Sequence, residues 1–355
     1  MTQTLAIFLD AYRDLNSRKL FWLAIILSGL MVLVVACLGV NEQGFSIVGY
    51  TVENPVFNTM FFPPATFYKL LFVVLGVQTW LAWGSTILAL VSTASMVPEL
   101  VASGSIDMML SKPISRARLF LTRWCTGLLF TGIQATTFTL ASFLVIGIRG
   151  GAWEPSLFLA VPVLVIFYSY LFSVCALVGL ITRSTIASLI LVLIFWVLVW
   201  VLQMGESVSN TACVFYDLET KAVQRVRAQR LEMNPAADVD KLDQQLERVT
   251  VRQNVWQNIH APFYYVVTCL PKTQQTTEWL RRTLIAEANL GRPRDDDEPL
   301  REMFQSEYVK TGAFRKAIQE DAEKNRGVWW TMGTSLIFEA VVLGACVLYF
   351  KRKDF

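Results

Sequence analysis

The sequence predicts an all-α membrane protein with six transmembrane helices. Hydrophobic residues make up 54% of the 355 residues and charged residues only 17%, whereas soluble domains average about 45–50% and 25%. Six apolar runs are near or above the roughly 20 residues that a helix needs to cross a bilayer core. These runs cover residues 20–40, 67–90, 119–148, 157–181, 186–204 and 328–350.

The segment before the first run, residues 4–19, has the pattern of an interfacial helix. Apolar side chains fall on one helical face and charged side chains on the other. The apolar face holds Leu5, Phe8, Leu9, Tyr12 and Leu15, and the charged face holds Asp10, Arg13, Asp14 and Arg18. We therefore expect an N-terminal helix lying in the membrane interface, the alternative being an ordinary amphipathic tail.

The basic residues of the short loops predict the orientation of the chain. Arg116, Arg118 and Arg123 follow the second run and Arg183 follows the fourth, whereas the short loops 41–66 and 150–156 contain no Lys or Arg. Cytoplasmic loops carry an excess of Lys and Arg. The pattern predicts that both termini are cytoplasmic and that the long segment between the fifth and sixth runs is external.

The loop between the second and third runs, residues 98–118, carries a helical pattern of its own. Leu100, Ile106, Met109 and Leu110 recur near a spacing of 3.6 residues, and Pro113 ends the pattern. The sequence predicts a short amphipathic helix at the cytoplasmic membrane surface, joined to two spans.

This loop resembles the coupling-helix region of the ABC type-2 transporter permeases. The resemblance lies in the run E-x-x-x-x-G-x-I-x-x-x-L-x-x-P-I-S-R from Glu99 to Arg116, and together with the layout of the spans it covers residues 1–205 and 328–355. It implies an exporter subunit in a prokaryotic plasma (inner) membrane that docks onto a separate ATPase subunit. The docking residues would be Glu99, Gly104, Ile106, Met109, Leu110 and Pro113.

The same resemblance implies further partners. Two permeases would pair as a homodimer or a pseudo-dimer within membrane lipid, and the partner ATPase would bind ATP and Mg²⁺. The chain itself would hold no cofactor and would not be an enzyme. Known substrates of the family include lipids, polysaccharides, drugs and peptides. The residues of this chain do not indicate which of these classes it would transport.

Residues 205–327 form an insert that lies outside this resemblance. They separate a membrane domain of residues 1–204 from a last span and tail of residues 328–355, and they contain most of the charged residues of the chain. A heptad pattern after Asn234-Pro235 predicts an antiparallel helical hairpin, with the seam Leu242, Leu246, Val249, Gln253 and Trp256. The insert is either a gate or docking surface for an external partner, or a decoration. Its two cysteines, Cys213 and Cys269, are candidates for a disulfide.

Several kinds of chemistry find no support in the sequence. No G-x-x-x-x-G-K-[ST] phosphate loop occurs, and the one histidine, His260, makes neither a zinc site nor a triad by itself. The net charge of +3 is too small to imply nucleic acid as a partner.

Glu339 is the one acidic residue near the middle of a predicted span. A carboxylate is costly at that depth. We expect it either to line a substrate path, with Gln78 or Gln134 as hydrogen-bond partners, or to be a packing residue at a helix seam. Two other functions remain open: a membrane anchor for an external assembly, and an ion-coupled carrier with Glu339 as its proton site.

Overall fold

The computed structural model describes residues 13, 19–47, 50–53, 59, 63–101, 115–234, 238–287 and 327–352. The expected interfacial helix at residues 4–19 lies outside the described residues except for Arg13 and Lys19. The chain divides into two compact units, one of Met1–Trp196, Thr273–Arg292 and Leu336–Phe355, and the other of Val197–Lys272 and Pro293–Ser335.

Six helical segments of the described chain are long and apolar enough to cross a membrane, which confirms the predicted multi-pass, all-α fold class. They are the helix α1 (Lys19–Cys37), a composite segment (Pro64–Val101), α5 (Arg116–Gly150), a segment beginning in a 3-10 turn (Pro155–Thr182), α7 (Thr185–Met233) and α10 (Val328–Arg352). We refer to these six segments as spans 1 to 6.

A small antiparallel sheet follows span 1, and the sequence analysis did not predict it. Its three strands are β1 (Leu38–Asn41), β2 (Gly44–Ile47) and β3 (Tyr50–Glu53), in that order across the sheet. Gly44 has φ 148°, a backbone conformation that favours glycine. Strands of four residues carry too little alternation to be recognised from hydropathy alone.

Span 2 changes its helical geometry along its length. It consists of α2 (Pro64–Leu71), a π-helical segment (Phe72–Ser85), α3 (Thr86–Thr93) and, after a turn, α4 (Met96–Val101). Most π-helices are single turns within α-helices, so a π-helical segment of 14 residues is unusual.

Span 4 is the most buried of the six spans and packs closely on span 3. Its helix α6 (Ala160–Thr182) follows a 3-10 turn (Pro155–Leu159), and 67% of its apolar window is buried, against 22–44% in the others. At Gly127 of α5, an added Cβ would lie 2.4 Å from Phe172 of α6. Only glycine permits this approach of the two helices.

Two basic residues at the ends of spans 2 and 3 lie at the edges of short loops that contain no Lys or Arg of their own. Lys69 makes an ion pair with Glu154 at 2.5 Å, and Arg149 donates a hydrogen bond to the carbonyl oxygen of Ala36. Each of these positive charges therefore has a partner at its own end of the helices.

The predicted hairpin of the insert is confirmed. It is formed by the distal part of α7 and by α8 (Asp240–Cys269). Arg227 pairs with Asp243 at 2.5 Å, and Thr220 donates to Gln253 at 3.0 Å, so the residue numbers rise along one helix as they fall along the other. Val249 is buried at the seam. No disulfide bond joins Cys213 and Cys269 in the structure.

The hairpin helix α7 has 49 residues and is therefore about 74 Å long at 1.5 Å per residue. It continues through Gly205, where the sequence analysis placed the end of the membrane domain. Pro271 lies in the break between α8 and the next helix, α9 (Thr273–Glu287). α9 packs against the π-helical segment, α6 and the 3-10 turn.

Candidate substrate path and docking region

Glu339 lies within span 6 and is 5% exposed. Its Oε2 atom is 2.9 Å from Oγ of Ser169 on α6, and the same Oγ lies 2.8 Å from the carbonyl oxygen of Ile166. The hydroxyl of Ser169 is therefore the donor that Glu339 meets across the contact between α6 and α10. A hydrogen-bond partner reduces the cost of burying the carboxyl group within a span.

The residue next to Ser169 ties span 4 to span 2. The hydroxyl of Tyr168, which is fully buried, is 2.5 Å from Oγ1 of Thr93. Consecutive residues of α6 therefore make polar contacts with span 2 on one side and with span 6 on the other. These contacts couple the positions of three spans.

Gln134 and Gln78 do not join Glu339. Within the described residues neither makes a hydrogen bond to its carboxyl group, so the partner of Glu339 is Ser169 rather than the glutamines that we expected. Gln134 on α5 is 1% exposed, and neither its Oε1 nor its Nε2 has a hydrogen-bond partner in the described part of the chain. Gln78 is half-buried in the π-helical segment.

A buried amide group without a hydrogen-bond partner is energetically costly. Among the residues predicted to line the substrate path, Gln134 is therefore the one whose side chain would gain most from contact with a polar group. It lies one helical turn from Phe130 and one turn from Phe138, both of which are buried. The membrane unit therefore holds a hydrogen-bonded carboxyl at Glu339 and, within the described residues, an amide without a partner at Gln134, as separate features.

The docking region is described only at its two ends. Glu99 is exposed on α4, while the other expected docking residues, Gly104, Ile106, Met109, Leu110 and Pro113, lie outside the described residues. The flanks belong to one buried cluster that also includes the ends of α6 and α10. Its members are Val97, Leu100, Val101, Leu119, Phe120, Ala176, Leu180, Cys346 and Phe350.

This cluster, which we call the flanking core, packs closely at Pro98. An added Cβ at Gly179 of α6 would lie 3.1 Å from the ring of Pro98. The described ends of spans 2, 3, 4 and 6 therefore pack together at this position.

The sequence analysis missed a group of polar and ionisable residues at the base of the insert hairpin. Glu206 on α7 is 1% exposed, and its Oε1 atom lies 3.9 Å from Nε2 of His260 on α8. Nδ1 of His260 is 3.2 Å from Oγ of Ser209. His260 continues the predicted seam four residues after Trp256, a signal that the heptad pattern contained.

Lys272 lies just after the hairpin and is fully buried. Its ammonium group donates to the hydroxyl of Thr334 and to the carbonyl oxygen of Thr268, and it lies 4.2 Å from the ring centre of Trp330. Burial lowers the pKa of Lys272 to about 8, while the charges of Cys269 and Glu206 act in the opposite direction. The side chain therefore links α8 to the first turns of α10.

In the described ranges no three His, Cys, Asp or Glu side chains are grouped so that they could hold a metal ion. Comparisons of the chain with protein-family models, with curated proteins and with solved structures give no match. The arguments for function therefore rest on the residues and their contacts.

Proposed function

We propose that this chain is the membrane-spanning permease subunit of an ATP-binding-cassette transporter that exports its substrate from a prokaryotic cell. A separate ATPase subunit binds ATP and Mg²⁺ and docks on the loop of residues 98–118. Two permeases pair, and both termini lie in the cytoplasm. The resemblance of the loop to the coupling region and the presence of six spans support this proposal.

The packing of the flanking core is the structural observation that supports the proposal most strongly. Residues on both sides of the loop, such as Leu100 and Phe120, pack with the ends of spans 4 and 6. A force applied to the loop by a partner would reach spans 2, 3, 4 and 6 together.

The docking region provides the direct test. Ile106→Asp together with Met109→Asp places charges on the apolar side that a partner groove would bury, and a buried unpaired charge is costly. We expect the double variant to reach the membrane but to lose co-purification of an ATPase. Gln244→Asp together with Gln245→Asp, at two exposed positions of α8 outside the loop, adds the same charge and is the matched control that retains it. A double variant that still co-purifies with the ATPase would contradict docking at this loop.

An ion-coupled carrier is the second candidate, and the contact between Glu339 and Ser169 favours it. Secondary carriers bind their coupling ions with ionisable groups near the bilayer midplane. Transport by vesicles that contain the chain alone, driven by a pH gradient without ATP, would support the carrier. Dependence on ATP and on a bound ATPase would support the permease.

A further inference from the structure

The π-helical segment of span 2 has a geometry that its own sequence does not require. Helices with i→i+5 hydrogen bonds are rare and occur mostly as single turns. Apolar residues and Gln, Thr and Trp dominate Phe72–Ser85, and these residues are equally compatible with an α-helix. The contacts that the segment makes with its neighbours must therefore stabilise its π-helical form.

Hydrogen bonds from threonine side chains to backbone carbonyl oxygens show the same five-residue spacing as a π-helix. Oγ1 of Thr79 donates to the carbonyl oxygen of Val74 and Oγ1 of Thr86 donates to that of Leu81, each five residues back. Immediately after the segment, Thr93 donates to Ala89, four residues back, as expected in an α-helix. The change from five to four residues marks the end of the π-helical register.

One face of the segment packs against α5 and α1. Gly76 lies against the ring of Phe138, where an added Cβ would be 3.3 Å from two ring atoms, and Phe72 stacks on the same ring with a centroid distance of 6.2 Å. Nε1 of Trp80 donates to Oγ of Ser28 at 3.2 Å. These contacts fix the directions in which Phe72, Gly76 and Trp80 face about the helix axis.

Another face packs against α9, the helix that the insert returns to the membrane unit. Leu280 and Leu284 of α9 are each 2% exposed. Thr277 and Leu280 line a narrow apolar cavity together with Val77, Leu81 and Ala82 of the π-helical segment and Val163, Leu164 and Phe167 of α6. The charged residues of α9, Glu278, Arg281 and Arg282, pair with one another instead.

We propose that the π-helical segment is a register switch and that α9 of the insert acts as a strap that holds it in the π-helical form. In an α-helix the same residues make tighter turns and span a greater length, because each turn holds fewer residues. Conversion would lengthen span 2 towards the loop of residues 98–118 and would rotate Gln78. The insert is then a regulatory element of the membrane unit.

The length of the segment can be measured directly in the full-length chain. Spin labels at Leu70 and Ile87, which lie just outside the segment and are 39% and 37% exposed, report the distance across it in a cysteine-free background. A continuous α-helix would place their Cα atoms about 26 Å apart. We expect a major population with a shorter distance and a minor population near the α-helical value. Labels at Leu121 and Leu140 on α5 provide the reference for a regular α-helix.

Two substitutions test the strap and the switch without any partner. Leu280→Ala removes packing of α9 on the segment and should increase the population with the longer distance. Gly76→Ala crowds Phe138 in the π-helical form and favours the α-helix, so it should raise the ratio of long to short distances about two- to fivefold. The controls are Leu119→Ala, at an equally buried leucine, and Gly29→Ala, where an added Cβ meets nothing within 4 Å.

A third experiment tests whether an ATPase partner moves the switch, and this experiment rests on the proposed function. Addition of the co-purified ATPase with ATP and vanadate should shift the distances towards the α-helical value. If no ATPase binds, the proposed function fails, while the two substitutions still decide the switch. Identical distance distributions in the wild type, Leu280→Ala and Gly76→Ala, with both variants folded, would overturn the inference.

Discussion

At the scale of single residues, Glu339 shows how a carboxyl group is accommodated within a span. Its Oε2 atom accepts a hydrogen bond from the hydroxyl of Ser169, whose Oγ atom also lies close to the carbonyl oxygen of Ile166. Hydropathy and position indicated that Glu339 would be buried. The identity of its partner depended on the packing of α6 against α10, which no pattern in the sequence reports.

We expect Glu339→Gln to fold normally and to reduce ATP-dependent activity. The amide keeps the shape and an acceptor for Ser169 but cannot exchange a proton, so a role in the path would be lost while packing would not. The measurements are the thermal midpoint and the rate of ATP hydrolysis by the complex with its ATPase. Ser169→Ala is the control, because it removes the hydroxyl group that contacts Glu339 and keeps the carboxyl group itself. Full activity of Glu339→Gln would assign the residue to packing alone.

Lys272 predicts a dependence of stability on pH at the base of the insert. Because burial lowers its pKa to about 8 from the ordinary value of 10.5, the folded state releases its proton at a lower pH than the unfolded state. The cost of burying the charge is fully present below pH 8 and is relieved as the pH rises from 8 to 10.5.

The matched variant is Lys272→Met, which keeps the length of the side chain without the charge. Methionine removes the cost of burying the charge, together with the hydrogen bonds that the ammonium group donates to Thr334 and Thr268. We expect Lys272→Met to be at least as stable as the wild type at pH 7 and to lose the rise in stability between pH 8 and 10.5. Thermal unfolding followed across that range measures both. An unchanged pH profile in Lys272→Met would show that another group titrates.

At the scale of elements, the spans could be predicted from the sequence and their detailed geometry could not. The predicted run of residues 157–181 lies within the observed span 4, Pro155–Thr182, because hydropathy is a local property. The π-helical segment and the three-stranded sheet depend on neighbouring elements. The register of the hairpin was predictable because the seam repeats over several turns.

Because α5 packs closely on α6, we expect a larger residue at Gly127 to destabilise the protein. An added methyl group would lie 2.4 Å from the ring of Phe172, so Gly127→Ala should destabilise the protein by about 1–3 kcal/mol. Gly132→Ala, one turn and a half further along the same helix, meets only Val165 at 3.6 Å and should have little effect. Thermal unfolding of the two variants in the same detergent measures the difference. Equal stability would mean that the helices are not in this close contact.

At the scale of the whole molecule, the insert separates the chain into parts with different tasks in this account. The spans and the flanking core transmit a movement, and α9 connects the insert to span 2 by packing. The composition of the chain predicted the membrane class. The apolar stretch before Pro271 also predicts that the insert runs back onto the membrane surface ahead of a short helix, and the structure shows that this helix, α9, packs within the membrane unit.

The predicted orientation is tested by labelling in intact cells. Asp240→Cys lies at the start of α8 and should react with a membrane-impermeant thiol reagent added outside. A cysteine at Arg118, at the start of α5, should react only after the membrane is made permeable. We base this on the excess of basic residues in the loops assigned to the cytoplasm. The reverse pattern of labelling would contradict the topology and, with it, docking of a cytoplasmic ATPase.

The rate of ATP hydrolysis by the co-purified ATPase, measured in vesicles with and without this chain, tests the central proposal most directly. We expect the wild-type chain to stimulate hydrolysis and Ile106→Asp with Met109→Asp to abolish the stimulation while still inserting into the vesicles. Purification of the chain from its native membrane without any ATPase, or an equal rate of hydrolysis with and without the chain, would contradict the assignment as a transporter permease.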